Sequence, residues 1–400
     1  MPSPQPSLGR HALERVVEEE CFRPGLGSQV GAELEWLVRG PDGRRLGPEG
    51  LPPALAGAGR LPSGSTLSFE PGGQLELSSP PCPDESAACA VLGADTASVA
   101  AALAPAGAEL VGVGLCPEPA DALVVASPRY LAMDAYFRGD GGAGHTMMRD
   151  TASVQVSLDN LGGPALGRRW RLAHDLGPTL AACFANSPTA GGAPGRASSW
   201  RLVNWWRLDP SRSAPALGPS GPQRDWLRYS LAARVMLIRR PDGRFCPVGP
   251  PMSFGRWMAA GHELGWPTLD DYRYHLTTLF PPVRPLGRLE LRYMDALPEP
   301  WWQVAVAVAA ALLDDPEAGE VAARATRASA GLWREAGAEG LSHPGLAASA
   351  RQCFLAALDA LERRGADPGL VEVVSRFQDR YVGPGRSPAH DRLEEGAAHR

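Results

Sequence analysis

Four segments of the chain alternate polar and apolar residues with a period of two, and this alternation constrains the fold more than any other feature. In a β-strand, side chains two residues apart point to one face of the sheet and their neighbours to the other. In the clearest case, segment 151–159, Thr, Ser, Gln155, Ser and Asp alternate with Ala, Val, Val and Leu. These small uncharged or amide groups favour a sheltered polar pocket over a solvated surface. The four segments predict a sheet with one apolar face and one polar face.

Charged residues occupy the polar positions of the other three segments. They are Glu33 and Glu35 in segment 31–38, Glu76 in segment 67–78, and Glu290 between Arg288 and Arg292 in segment 288–295. Each pattern taken singly also fits a solvated strand face or a surface ion-pair ladder. If the strands are neighbours in one sheet, however, the carboxylates meet in a single site. Glu70 lies close to this set, beside a Gly72-Gly73 turn that would also let a ligand approach the backbone.

Such a cluster of carboxylates requires a cation. Acids within a few Å of one another repel, and this repulsion raises their pKa values unless positive charge neutralises them. Because the set offers oxygen donors and neither His nor Cys, it favours Mg²⁺ or Mn²⁺. These ions leave coordination positions for phosphate oxygens, so the chemistry indicated is phosphoryl transfer from a nucleotide held by metal and arginine. The 39 basic residues are all arginine, which excludes a P-loop lysine or a Schiff base.

Composition narrows the class of protein. A chain of 400 residues with a net charge of -5 is neither a basic nucleic-acid binder nor a small disulfide scaffold, and its seven cysteines form no CxxC pair. The first twenty residues lack the pattern of a secretory signal, and the most apolar run, Trp301 to Leu313, is too short to span a bilayer. We therefore expect a cytoplasmic protein with neither nucleic-acid nor membrane partners.

The residue composition and pattern of the chain change after Pro300. Residues 1–300 carry the predicted strands and read as an α+β catalytic domain. Residues 301–383 show an Ala-rich helical pattern broken at proline-containing turns, and residues 384–400 read as a disordered tail. The small-residue segment Asn186 to Ser199 fits either a mobile cover of an active site or simple disorder.

The residues at this point resemble a known family. Five blocks, in chain order, are similar to the glutamate-cysteine ligases of the plant and bacterial type, and most similar to the actinobacterial branch that serves ergothioneine biosynthesis. The matching blocks are GAELEW (31–36), FEPGGQLELS (69–78), MMRDTASVQVSLD (147–159), FANSP (184–188) and HLTTLFPPVRPLGRLELR (275–292).

The resemblance implies a fold and a reaction. The fold would be that of the glutamine synthetase/guanido kinase group, an α+β fold whose antiparallel sheet curves into a funnel with helices outside. The reaction would join the γ-carboxyl of L-glutamate to the amine of L-cysteine through a γ-glutamyl phosphate, with ATP and Mg²⁺, or Mn²⁺ in its place. Two alternatives stay open: a ligase of the same fold with another amine acceptor, and a metal- and nucleotide-binding protein without catalysis.

The resemblance also implies roles for individual residues. By this likeness the metal ligands would be Glu33, Glu35, Glu76 and Glu290, and the groups close to the metals or the substrate would be Glu70 and Gln155. Arg292 would meet the ATP phosphates. Arg201 would hold a carboxylate of substrate glutamate, a task that suits a planar bidentate donor.

Overall fold

An antiparallel sheet lies at the centre of the fold in this computed structural model, which describes residues 8–25, 27–55, 57, 59–139, 141–189 and 196–398. The strands are β1 (Val30–Arg39), β2 (Arg45–Leu46), β3 (Gly59–Arg60), β4 (Thr66–Phe69), β5 (Leu75–Ser78), β6 (Glu109–Val111), β7 (Ser153–Asp159), β8 (Leu237–Arg239), β9 (Phe245–Pro247), β10 (Val283–Pro285) and β11 (Arg288–Asp295). The order across the sheet is β10-β11-β7-β1-β5-β4-β3, with β2 and β6 also paired to β1. Strands β8 and β9 form a separate hairpin.

Helices surround this sheet and form the part of the chain after β11. They are α1 (Arg10–Val16), α2 (Glu85–Leu103), α3 (Pro128–Phe137), α4 (Ala143–Asp150), α5 (Gly163–Asp175), α6 (Gly177–Cys183), α7 (Trp200–Trp205), α8 (Pro210–Ser213), α9 (Pro222–Ala232), α10 (Phe254–Ala260), α11 (Leu269–Leu276), α12 (Trp301–Asp314), α13 (Pro316–Ala325), α14 (Trp333–Ala338), α15 (Pro344–Arg363), α16 (Pro368–Phe377) and α17 (Pro388–Ala398).

The apolar face of the sheet forms the core. Helix α12 contacts β1 and β7, α2 contacts β1 and β5, and α6 contacts β11. Leu34, Val156 and Leu291 are at most 1% exposed. Helix α12 is apolar all round and buried from Val304 to Leu312, as expected of a helix enclosed by other elements. The predicted α+β class, with an antiparallel sheet and outer helices, is confirmed.

The strand register brings the predicted acidic positions together. Glu35 lies opposite Glu76 in the β1/β5 pair, and Glu33 lies opposite Gln155 in the β1/β7 pair. Glu290 lies opposite Ser157 in the β11/β7 pair. Residues directly opposite in a ladder share one face of the sheet, so the polar faces of β5, β1, β7 and β11 are continuous.

A β-bulge interrupts the alternation in β11. Leu291 pairs with Val156 but Met294 pairs with Val154, so β11 carries one extra residue at this point. Uninterrupted alternation would place Asp295 on the same face as Leu289 and Leu291. Because of the bulge, Asp295 instead pairs with Ser153 on the polar face, whereas Met294 enters the core.

The segment predicted to be a disordered tail is helical. Residues 388–398 form α17, and Ser387, which precedes the helix, is fully buried. The Arg392 guanidinium donates to the carbonyl oxygen of Gly112 at 2.9 Å. The local composition does not predict such long-range contacts. The expectation of disorder is therefore wrong for the described residues of this tail. The boundary at residue 300 stays a prediction.

One helical stretch has the length and composition of a membrane span. It covers Glu85–Ala106, 22 residues that include α2. Helix α2 packs against β1, β5 and α12. The apolar residues of this stretch therefore have partners within the fold, as in the core helix of a globular domain.

The Pro71-Gly72-Gly73 turn is packed against protein. A Cβ atom at Gly72 would lie 1.9 Å from the carbonyl oxygen of Arg149 and 2.5 Å from Nη2 of Arg45. Gly73 adopts a φ of 80°, which favours glycine. The space at Gly72 therefore serves the close approach of α4 and β2, so the expected approach of a ligand to the backbone is wrong at this glycine.

We expect the change Gly72→Ala to lower the free energy of unfolding by about 1–3 kcal/mol, because the added methyl forces α4 or Arg45 to move. Urea denaturation at unchanged m-value measures this loss. The matched control is Gly167→Ala in α5, where no described atom outside the backbone of the helix itself lies within 4 Å of the added Cβ. This control should retain or slightly raise stability, since alanine is the better helix former. Equal stability of the two variants would contradict the close packing at Gly72.

Candidate active site

A cavity of about 210 Å³ opens on the polar face of the sheet. Seven of the eight residues predicted for the site line it, namely Glu33, Glu35, Glu70, Glu76, Gln155, Arg201 and Arg292. The eighth, Glu290, is 1% exposed and bonds to two of the arginines that line the wall. The structure therefore brings residues from four strands and from α7 into one site.

Glu35 is held in a fixed orientation at the centre of this site. The backbone N–H of Ser153 donates to its Oε2, and Nε2 of Gln155 donates to its Oε1, each at 2.8 Å. Burial raises the pKa of the Glu35 carboxyl, and the neighbouring Glu76 raises it further. Two donors thus aim a carboxylate into a place where another acid opposes its ionisation.

Burial and neighbouring acids also oppose the ionisation of Glu33 and Glu70. Burial, followed by the charges of Glu290 and Glu76, raises the pKa of Glu33 to about 8. The pKa of Glu70 lies well above its ordinary range because of burial and then of Glu76 and Glu35. A cation placed among these acids would remove the repulsion and lower all of these pKa values.

The acids suit a hard divalent cation in type and position. Glu35 and Glu76 face each other across a β-pair, and all the carboxylate donors are oxygens. As they stand, no three His, Cys, Asp or Glu side chains within the described residues are grouped closely enough to hold a metal ion. Arginine competes for them: Arg288 Nη2 lies 3.6 Å from Oε1 of Glu33. The donor set therefore fits a cation held by pairs of carboxylates together with oxygens from a ligand.

Glu290 is bound to arginine on both sides. Its Oε2 accepts from Nε of Arg284 at 2.8 Å and from Nη1 of Arg292 at 2.7 Å. Burial alone would raise its pKa, but the two guanidinium groups lower the pKa of Glu290 to about 2. Glu290 is thus ionised at neutral pH, and it orients Arg292, whose Nη1 also donates to Oε1 of Gln155. Nε of Arg292 has no hydrogen-bond partner in the described part of the chain.

Arg201 reaches the cavity from α7. Its Nη2 donates to the carbonyl oxygen of Arg292 at 2.8 Å, and its guanidinium lies over the ring of Trp205. Burial lowers its pKa, an effect that Asp295 and Glu35 oppose. Its Nε is buried without a hydrogen-bond partner among the described residues. Arg201 is therefore a rigid, buried cation with donor capacity left for an anionic ligand.

A second cavity of about 290 Å³ lies at the other end of the same strands. Glu33 lines both cavities, and Ser78, Ser157 and Arg288 line the second. The guanidinium of Arg288 donates to Oγ of Ser157 at 2.9 Å. The polar face thus offers two cavities that share Glu33 as a lining residue.

The predicted cover segment Asn186 to Ser199 falls partly outside the described residues, which omit 190–195. Its two ends are described, and Oγ of Ser187 lies 3.4 Å from Oγ of Ser199. A role as a cover stays a prediction.

Sequence reasoning assigned no role to Arg284, which lines the cavity, or to Asp295, which lies beside Arg201. Arg284 lies on β10, which has only three residues and therefore no readable alternation, although its pairing opposite Glu290 brings it to the wall. The bulge in β11 turns Asp295 to the polar face, and no local sequence pattern predicts this bulge. A further wall of side chains, also unassigned from the sequence, consists of Tyr130, Met133, Met147, Met148, Trp205 and Phe280.

The raised pKa of Glu33 predicts how stability depends on pH without added cations. Its ordinary value is 4.5, so the folded state keeps a proton up to about pH 8 that the unfolded state has lost. This proton makes stability fall as pH rises from about 4.5 to 8, by at most about 1.4 kcal/mol per pH unit for each such proton. The buried His174 and His275, whose pKa values burial lowers to about 4 and about 3, have the opposite effect up to about their ordinary pKa of 6.5, so the fall is measured between about 6.5 and 8.

Thermal unfolding across this pH window tests the assignment. The change Glu33→Gln should flatten the fall in stability, whereas Glu109→Gln, on the exposed part of β6, should leave it unchanged. The assignment of the proton to Glu33 fails if the slope of the Glu33→Gln variant equals that of the unaltered protein.

Known proteins resemble this chain in sequence and fold. A model of glutamate-cysteine ligase family 2 (GCS2) matches residues 29–400. The glutamate-cysteine ligase EgtA of Mycolicibacterium smegmatis is 42% identical over 374 residues, which is 91% of this chain and 86% of that protein. EgtA of Mycobacterium tuberculosis is 37% identical over 410 residues, covering 97% and 94%. A solved glutamate-cysteine ligase from Francisella tularensis in complex with AMP superposes with a TM-score of 0.54 at 11% identity, covering 94% of this chain and 86% of that one.

Proposed function

The chain belongs to glutamate-cysteine ligase family 2, and on this premise we propose that it joins the γ-carboxyl of L-glutamate to the amine of L-cysteine with ATP. The product would be γ-glutamylcysteine for ergothioneine biosynthesis, in line with the EgtA relatives. The observation that carries the proposal is the convergence of Glu33, Glu35, Glu76, Arg201 and Arg292 on one cavity.

The reaction needs an activated carboxylate. A carboxylate does not condense with an amine at neutral pH because oxide is a poor leaving group. Transfer of the γ-phosphoryl group of ATP to the glutamate γ-carboxylate gives γ-glutamyl phosphate, from which the cysteine amine displaces phosphate. The site must therefore hold the glutamate γ-carboxylate beside a triphosphate in the first step and admit an amine in the second, which accounts for its high density of charged groups.

The arginines of the site would hold the anionic substrates. Arg201 would bind a carboxylate of glutamate, because its buried guanidinium lines the cavity and has an unpartnered Nε among the described residues. Arg292, fixed by Glu290 and Gln155, would bind phosphate oxygens and stabilise the charge that develops during transfer. The second cavity, with Arg288 and the serine hydroxyls, would receive the rest of the nucleotide.

The acids would hold divalent cations. Glu33, Glu35, Glu76 and, through Oε1, Glu290 are the ligands that we propose, with Glu70 beside them. Mg²⁺ or Mn²⁺ bound there would neutralise the charge of the β- and γ-phosphates. Without such ions Glu33, Glu35 and Glu70 resist ionisation, and this resistance supports the assignment.

The apolar wall of the cavity would protect the acyl phosphate. Met133, Met148 and Phe280 are each less than 9% exposed, and Trp205 lies beside Arg201. Side chains of this kind keep water from the activated carbonyl and leave the amine as the available nucleophile.

Incubation with ATP, Mg²⁺, L-glutamate and L-cysteine tests the proposal. We expect phosphate release that depends on both amino acids, together with a dipeptide of the mass of γ-glutamylcysteine. A series of other amines in place of cysteine separates this activity from that of a ligase with another acceptor. Absence of turnover with every amine would favour the alternative of a non-catalytic nucleotide-binding protein. The cytoplasmic location, and the lack of nucleic-acid and membrane partners, stay predictions.

A further inference from the structure

We propose that Asp295 is a positioning residue for the reaction: it fixes Arg201 and the two serines at the start of α7, so that Arg201 meets the carboxylate of glutamate in one orientation. This inference rests on the proposed role of Arg201 as the glutamate-binding arginine. Asp295 itself does not line the cavity.

The contacts of Asp295 are numerous for one buried side chain. Its Oδ2 accepts from the backbone N–H of Asn186 at 2.8 Å and from Oγ of Ser187 at 2.7 Å. Its Oδ1 accepts from Oγ of Ser199 at 2.9 Å and lies 3.7 Å from Nη1 of Arg201. With 1% of its surface exposed, Asp295 gathers four donors around one carboxylate.

Both serines connect the Asp295 carboxylate to the first turn of α7 through hydrogen bonds. Oγ of Ser187 accepts from the backbone N–H of Arg201 at 3.2 Å, and Oγ of Ser199 accepts from that of Leu202 at 3.0 Å. Each hydroxyl donates its single proton to Asp295 and accepts from the first turn of the helix. Asp295 therefore sets the direction of both hydroxyls, and through them the position of the Arg201 backbone as well as its guanidinium.

Only a carboxylate satisfies this arrangement. An asparagine at position 295 would turn its amide N–H₂ toward donors, since all four neighbouring groups are donors. A longer side chain lacks space, because a Cβ atom at Gly114 would already lie 2.4 Å from Cγ of Asp295. The bulge in β11 turns this carboxylate to the polar face, beside Arg201. Nη2 of Arg201 also donates to the carbonyl oxygen of Arg292, which lies within the bulge.

Asp295→Asn tests the inference. We expect the KM for glutamate to rise about 10- to 100-fold, as displacement of a binding group by about 1 Å does, with little change in the KM for ATP. Calorimetric titration with L-glutamate, which needs no turnover, should show a matching loss of affinity. The matched control is Asp225→Asn, another acid that is 2% exposed and paired with an arginine, in α9. This control should lower stability without changing either KM.

A double-mutant cycle distinguishes positioning from a purely structural role. If Asp295 acts through Arg201, the combination of Asp295→Asn with Arg201→Lys should weaken glutamate binding little more than Arg201→Lys alone. Multiplicative effects of the two changes, or unchanged glutamate affinity of Asp295→Asn, would overturn the inference. If Asp295→Asn does not fold, Ser187→Ala with Ser199→Ala removes the relay and keeps the charge, and the same glutamate titration decides.

This design separates two failures. The unaltered enzyme reports on the proposed function through dipeptide formation alone. The variants report on Asp295 through glutamate affinity, so failure of the Asp295 inference leaves dipeptide formation by the unaltered enzyme intact and is distinguishable from failure of the proposed function.

Discussion

The change Glu35→Gln is expected to lower the rate of dipeptide formation on the order of 10³-fold at saturating Mg²⁺, because the amide is a poor cation ligand. The amide also conflicts with its surroundings. Ser153 N–H and Nε2 of Gln155 both donate to Glu35, so one of them would face the new N–H₂ group. Gln155 cannot turn over freely to adapt, since its Oε1 accepts from Arg292.

The stability of the Glu35→Gln variant, unlike its rate, should not fall. Glu35 and Glu76 are acids directly opposite each other and largely buried, and the change Glu35→Gln removes their repulsion. The thermal midpoint without Mg²⁺ should therefore stay the same or rise, as when a functional but unfavourable group is removed from a site. Initial rates of γ-glutamylcysteine formation, beside thermal unfolding of the same preparation, measure both effects.

The control for this experiment is Glu109→Gln. Glu109 lies on β6, which also pairs with β1, but its side chain is exposed and outside the cavity. Its activity should equal that of the unaltered protein. Near-normal activity of Glu35→Gln at saturating Mg²⁺ would remove Glu35 from the metal ligands.

The change Arg292→Lys is expected to lower turnover by about 10² to 10³-fold, although the charge is kept. Arg292 reaches Glu290 and Gln155 with one nitrogen and retains further donors for a phosphate. A lysine ammonium has one nitrogen, so it cannot hold Glu290 and Gln155 and bind phosphate through separate groups. The loss should appear in kcat and in the KM for ATP more than in the KM for glutamate.

An exposed arginine provides the control for this second change. Arg273 pairs with Glu20 at 2.7 Å on the surface, and Arg273→Lys should leave all kinetic constants unchanged. A loss confined to the KM for glutamate in Arg292→Lys would contradict the assignment to phosphate and would place Arg292 with Arg201 instead.

The sheet and its acids could be predicted because strand alternation is a local property. Segment 31–38 lies within β1, and segment 288–295 coincides with β11. Helix α12 begins after Pro300, as its apolar pattern and the preceding proline indicate. Each of these features depends on residues that are neighbours along the chain.

Contacts between distant residues determine two features that local patterns did not predict. Residues 388–398 form a helix whose Arg392 donates to the carbonyl oxygen of Gly112, and the composition of the tail itself does not predict that contact. The glycine at 72 is required by Arg149, seventy-seven positions away, and not by a ligand.

Local alternation alone predicted that Glu33, Glu35, Glu76 and Glu290 each lie on the polar side of their own strand, since a period of two leaves them no other side. Three features follow from long-range packing instead: β11 contains a bulge, Asp295 thereby turns toward Arg201, and arginines neutralise Glu290. Strand pairing and burial produce these three features, and both depend on contacts between segments far apart in the chain. The chemistry of the site was therefore readable from the residues, whereas the orientation of its arginines was not.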